Sequence, residues 1–216
     1  MALFRDRAQA AEALILRLPP EVGKEWLVLA LPRGGVPIAA AIARHLGATL
    51  DLLIVRKVGA PRNPELALAA VTGPGRTELV INERLCSMLR LAEEDVERLA
   101  RPEVAEIVRR RRIWAAPGVP LTGRRVLMVD DGAATGTTLR AAIEAARRQE
   151  AQQIGVALPL ALGSALSDLP DDVSPVICPY PVAGFSAVGS GYALFPQVSD
   201  DEVTEYFSRK PVAGQS

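Results

Sequence analysis

Asp130 and Asp131 stand side by side after the apolar run Arg125–Val129, and Gly132-Ala133-Ala134-Thr135-Gly136-Thr137-Thr138 follow without a break. The apolar run reads as a strand and residues 136–149 read as a helix, so the small residues form a loop between a strand's carboxyl end and a helix start. A helix start offers unpaired N–H groups and the positive end of a dipole to an anion. Gly132 and Gly136 let the backbone approach closely, and the hydroxyls of Thr135, Thr137 and Thr138 add donors. These residues make a phosphate cradle. Two carboxylates beside it would repel a bare anion. They suit sugar hydroxyls or a divalent cation instead, and a phosphorylated sugar meets both demands. An ordinary βα turn with a helix cap is the plainer alternative for the same residues.

Two further loops carry charge to strand ends. Leu31-Pro32-Arg33-Gly34-Gly35 places a glycine turn and a cation after the apolar run 26–31. Arg56-Lys57 ends the run 51–55 and opens a polar loop, residues 56–66, broken by Gly59, Pro61 and Pro64 and carrying Arg62. Two other phosphate motifs fail. No lysine precedes Thr137 or Thr138 as a P-loop requires, and no GxGxxG occurs.

Residues 126–139, VLMVDDGAATGTTL, closely resemble the 5-phosphoribosyl 1-diphosphate signature of the type I phosphoribosyltransferase family. That signature is a hydrophobic run, two acids, a small-residue loop, then Thr-Gly and a hydroxyl residue. The resemblance extends over 26–72 and 124–160. It implies Mg²⁺-dependent transfer of 5-phosphoribose to a nitrogenous base or other nitrogen nucleophile, with release of diphosphate. Asp130 and Asp131 would then contact the ribose 2- and 3-hydroxyls and hold metal indirectly, through those hydroxyls or water. Gly132, Ala133, Ala134, Thr135, Gly136, Thr137 and Thr138 would form the 5-phosphate loop. Arg33, Gly34, Gly35, Arg56 and Lys57 would meet the diphosphate, the first three in a loop that the family often holds through a non-proline cis peptide. Arg62 would add charge to a mobile loop. The catalytic set is Asp130, Asp131, Lys57 and Arg33.

One position departs from a branch of the family. The 6-oxopurine enzymes carry an acid three residues after the second aspartate, where this chain has Ala134. The adenine and orotate branches also lack it. The acceptor falls to the stretch 178–192, where Phe185 and Tyr180, with Tyr192, offer rings to a planar base. Core packing is the alternative for those rings. The resemblance also leaves open a protein that binds the sugar diphosphate or nucleotides without turnover. A homodimer is expected, with no nucleic-acid or membrane partner.

The elements that must position these residues follow from periodicity. A helix is expected over 5–18, strands at 26–31 and 51–55 flank a helix over 36–46 closed by Gly47, and short strands at 67–72 and 77–81 surround a Gly73-Pro74-Gly75 turn. Residues 82–114 read as a helical pair or one bent helix, with Pro102 as the break. Strands at 125–129, 154–160 and 173–178 and a last helix opening at 200–203 complete the pattern. Continuous apolar strands alternating with helices predict an α/β fold. It is one doubly wound parallel sheet in a single domain over 1–216, with a helical insertion at about 82–116 and a small C-terminal hood at about 175–210.

Composition narrows the partners. The formal net charge is zero, which disfavours a general nucleic-acid binder. Aromatics are 4% of the chain, so the core rests on small aliphatics that let helices pack closely on a sheet. Cys86 and Cys178 lie too far apart for a CxxC site, and the single histidine, His45, ends a helix where its charge complements the dipole. The N-terminal residues mix charges into apolar positions, which reads as an amphipathic helix and not a signal peptide; the expected location is the cytoplasm.

Overall fold

The computed structural model describes residues 2–61, 63–73 and 78–208. Helix α1 (Arg7–Ile15) starts at Asp6, whose carboxylate accepts the Gln9 N–H, and buries Ala10, Ala11 and Leu14. Strand β1 (Leu27–Ala30) is buried throughout. Helix α2 (Gly35–Leu46) ends at Gly47, whose φ of 63° is the left-handed C-cap expected of that glycine. Strand β2 (Thr49–Leu52) follows, then β3 (Ile54–Ala60), β4 (Asn63–Gly73) and β5 (Glu78–Ile81). Helices α3 (Glu83–Met88) and α4 (Glu93–Trp114) come next, then β6 (Arg125–Val129), α5 (Thr137–Arg148) and β7 (Gln153–Ala157). The chain closes with β8 (Leu160–Leu162), β9 (Val176–Ile177), β10 (Tyr180–Val182), a 3-10 turn at Val188–Gly191 and α6 (Asp200–Ser208).

Five strands form one parallel sheet in the order β2-β1-β6-β7-β9. Successive side chains of a strand point to opposite faces. Accordingly Val28, Ala30, Leu127 and Val129 pack with α1 and α2 on one face. Leu27, Leu29, Val126 and Met128 pack with Leu139, Ala142 and Ile143 of α5 on the other. Two-sided burial is why these strands are uninterrupted apolar runs, and helices on both faces make the sheet doubly wound. Among the described residues, no helix is long and apolar enough to cross a membrane.

Four expectations are corrected. The polar stretch 56–66 is not a loop. The chain leaves the parallel sheet after Leu52, and β3, β4 and β5 form a separate antiparallel sheet that puts Arg56 and Lys57 inside a strand. Gly59 marks a register shift within that hairpin, and Pro61 falls in the turn between its strands. Pro102 does not break the helix. It lies inside α4, held by Val96 and Ala100 before it and Ile107 and Trp114 after it, all buried. The helical pair instead divides at residues 89–92, where Arg90 has a φ of 54°. The strand expected at 154–160 splits, because β8 leaves the main sheet to pair with β10. The strand expected at 173–178 shrinks to β9. Arg62 and the turn residues 74–77 lie outside the described residues.

Candidate active site

Strands β1 and β6 are neighbours in register, so the loops at their carboxyl ends lie side by side. The Leu31 N–H still donates to Val129 O at 2.8 Å where the strands end. Beyond that point the contact tightens. A Cβ on Gly35 would lie 2.5 Å from Val129 O and 2.9 Å from Asp130 Cα, and one on Gly34 would lie 2.0 Å from Asp131 Oδ2. Glycine is therefore required at both positions by the close approach of the second loop. The Pro32–Arg33 peptide is cis. Arg33, Gly34, Gly35, Asp130 and Asp131 are thus brought together by strand pairing, although about a hundred residues separate them in sequence.

Past the acids the chain turns into α5. Gly132 has a φ of 154°, and a Cβ there would meet Val188 Cγ1 at 2.6 Å. The Ala133 N–H donates to Leu160 O at 3.1 Å, and Leu162 N–H returns a bond to Ala133 O at 2.8 Å, which pins the loop to β8. Among the described residues no hydrogen bond engages the N–H groups of Ala134, Thr135, Gly136, Thr137 or Thr138. Gly136 caps α5 with a φ of 66°, and the Thr135 and Thr137 hydroxyls lie 3.1 Å apart. A run of unengaged donors at the positive end of a helix has the chemistry to accept an anion.

Three residues at this site carry no local sequence signal. Arg7 on α1 donates from Nε and Nη2 to Asp131 Oδ2 at 3.0 and 2.8 Å and from Nη1 to Pro196 O at 2.7 Å. Its guanidinium lies 4.0 Å from the Phe195 ring centroid, and its side chain is only 11% exposed. Arg140, one turn into α5, donates to Thr135 O at 3.1 Å and approaches Thr137 Oγ1 and Asp168 Oδ2 at 3.4 Å. Asp200 at the start of α6 meets Arg33 at 3.3 Å. The Arg7 and Asp200 contacts and the approach of Arg140 to Asp168 join distant elements and are not readable from spacing, whereas Thr135 and Thr137 lie in Arg140's own segment.

Burial pushes the Asp130 carboxyl well above the usual range, and the adjacent Asp131 charge adds to the rise. Burial also raises Asp131, but the Arg7 guanidinium opposes it. Asp130 Oδ1 accepts the Asp131 N–H at 2.8 Å, while Asp131 Oδ2 is taken by Arg7. Each acid therefore spends one oxygen inside the protein.

Arg56 and Lys57 alternate across β3. Arg56 Nε donates to Glu103 Oε2 of α4 at 2.7 Å. Lys57 is exposed on the opposite side, the side from which Val55 packs against the α5 layer. Tyr180 stands edge-on to Phe4 at 5.3 Å, and Phe185 is half-buried against the α1–α2 face. Tyr192 is not a free ring. It is buried, stacks on Phe195 at 4.7 Å and donates its hydroxyl to Asp131 O at 2.6 Å. Its desolvated hydroxyl is pushed far above the usual phenol range, so it stays a donor. Among the described residues no cluster of three or more histidines, cysteines or acids could hold a metal ion.

The chain has relatives among known proteins. Residues 5–179 match the model of the phosphoribosyl transferase domain. A Mycobacterium tuberculosis chain provisionally named phosphoribosyl transferase is 39% identical over 211 residues, which is 97% of this chain and 47% of its own. The chain thus spans about half the length of the curated relatives it matches. The crystal structure of TT1426 from Thermus thermophilus superposes with a TM-score of 0.80 at 37% identity, covering 96% of this chain and 98% of that one.

Proposed function

Because the chain belongs to the phosphoribosyl transferase domain family, we propose that it transfers 5-phosphoribose from 5-phosphoribosyl 1-diphosphate to a nitrogen nucleophile and releases diphosphate. The observation that carries this reading is the pair Asp130–Asp131 set between a cradle of unengaged N–H groups and the Arg33–Gly35 loop. The amides of Ala134 to Thr138 would bind the 5-phosphate. The remaining oxygens of Asp130 and Asp131 would accept the ribose hydroxyls, and Arg33 with Lys57 would receive the diphosphate.

In the reaction the bond from the anomeric carbon to diphosphate oxygen breaks and a bond from the acceptor nitrogen forms on the opposite face. Charge in the transition state gathers on the sugar ring and on the leaving diphosphate. The chain's contribution is alignment and charge: Asp130 and Asp131 orient the ring, while Arg33 and Lys57 stabilise the departing anion. The two carboxylates make no metal cage; Asp130 and Asp131 would hold Mg²⁺ indirectly, through ribose hydroxyls or water. Bound there, Mg²⁺ would supply charge neutralisation on the diphosphate. Ala134 brings no acid to the acceptor, which argues against a 6-oxopurine.

The test is diphosphate release from 5-phosphoribosyl 1-diphosphate with Mg²⁺ across a panel of nitrogen acceptors. Release with one acceptor class supports transfer. Tight binding with no release for any acceptor would favour a binding protein without turnover. Absence of binding would refute the site.

A further inference from the structure

Asp131 is gripped from both ends by residues outside the strand–loop–helix segment. Its carboxylate receives two donors from Arg7, and its backbone carbonyl receives the Tyr192 hydroxyl. Phe195 joins the two grips, stacking on Tyr192 at 4.7 Å and lying under the Arg7 guanidinium at 4.0 Å. Both Arg7 contacts fall on one oxygen, Oδ2. Gly34, having no side chain, leaves open the space that this oxygen fills; a Cβ there would lie 2.0 Å from it.

We propose that Arg7 is a positioning residue, held flat by Phe195, that fixes the Asp131 carboxylate so that Oδ1 alone is presented to a ribose hydroxyl. This rests on the sugar-phosphate reading of the site given above. The physical reason is direct. A buried carboxylate with a rotatable side chain has two equivalent oxygens, and a bifurcated guanidinium contact on one removes that freedom before ligand arrives. Arginine does this where lysine cannot, because its planar fork supplies two donors in one direction. The aromatic stack makes the device depend on the 192–196 segment, so the hood side and the N-terminal helix converge on one sugar contact.

The experiment uses two probes. Inorganic phosphate has no hydroxyl-bearing ring and tests the anion-binding groups alone, whereas ribose 5-phosphate also requires the acids. Their affinities for the full chain are measured by titration calorimetry for wild type, R7M, R7K and F195L. The expected result is that R7M binds phosphate as wild type does but loses about tenfold in affinity for ribose 5-phosphate, the scale of one charge-assisted contact. R7K should recover part of that loss, and F195L should show a smaller one. A general effect on folding would lower both affinities together, and that outcome overturns the inference. Unchanged ribose 5-phosphate binding in R7M overturns it too, while leaving the proposed function standing. Wild-type protein that binds neither probe overturns the proposed function and the inference with it. Should R7M fail to fold, the ratio of the two affinities in R7K and F195L decides in the same way.

Discussion

A methyl group on Gly34 would lie 2.0 Å from Oδ2 of Asp131, closer than any real contact allows. Gly34 itself has helical backbone angles, φ −61° and ψ −34°, so alanine would fit its conformation and fail only on this contact. Gly34→Ala should therefore displace the Asp131 carboxylate and weaken ribose 5-phosphate binding by about tenfold or more. Gly35→Ala presses on Val129 O and Asp130 Cα, backbone atoms that cannot give way. It should cost about 1–3 kcal/mol of stability, read in urea denaturation. If Gly34→Ala bound ribose 5-phosphate like wild type, the two loops would not meet as described.

Asp130 gives a pH dependence of definite sign. Its folded carboxyl titrates above the ordinary range because burial and Asp131 both disfavour its charge. Between the unfolded and folded values the native state holds more protons than the unfolded chain, so stability falls as pH rises through that window. Asp130→Asn removes the penalty. The variant should melt higher than wild type at neutral pH, with each kcal/mol regained appearing as about 2–4 °C. It should bind the sugar phosphate less well. A variant that melts lower at neutral pH and equally at acid pH would contradict the assignment.

Neighbouring cations on β3 should behave in opposite ways. Arg56 is tied to Glu103 and faces α4. Arg56→Met should lower stability by about 1 kcal/mol or less, the usual worth of a half-exposed pair, and leave diphosphate affinity alone. Lys57 faces the other side of the strand, so Lys57→Met should leave the melting temperature alone and weaken diphosphate binding by about tenfold. Reversed results, measured by calorimetry of diphosphate with Mg²⁺, would place Arg56 at the site instead.

Asp51 supports the scaffold. It is fully buried, accepts the N–H groups of Leu52 at 2.7 Å and Val119 at 2.6 Å, and meets Arg111 at 3.3 Å. Asp51→Ala takes the acceptor from two amides and one of its partners from Arg111, which keeps Leu52 O, and should cost about 2–4 kcal/mol in denaturant unfolding. A loss below about 1 kcal/mol would mean that water replaces the carboxylate.

The strand, loop and helix proposed to form the phosphate cradle were legible because all of these parts are local. Strand, acids, glycines, threonines and helix start follow one another within residues 125–149, and the chemistry of each depends on its neighbours in the chain. The same holds for Gly47, whose C-cap role needs only the helix before it. The hairpin of β3 and β4 was not legible. Its glycine and prolines suggest a loop unless an antiparallel partner is at hand, and only the fold supplies that partner. Pro102 is similar, because contacts of Val96, Ala100, Ile107 and Trp114 with other elements outweigh one missing helix bond.

What the sequence determined by itself is the order of the α/β elements and the character of the loop at 130–138, since both follow from short-range periodicity and donor chemistry. The tertiary structure alone decided which oxygen of Asp131 meets Arg7. That depends on Arg7, Gly34 and Tyr192, which reach Asp131 only after the sheet has paired β1 with β6 and the chain has packed its first helix and its 192–196 segment over their ends. Periodicity reports which face of an element is buried; it carries no information about which distant side chain arrives there.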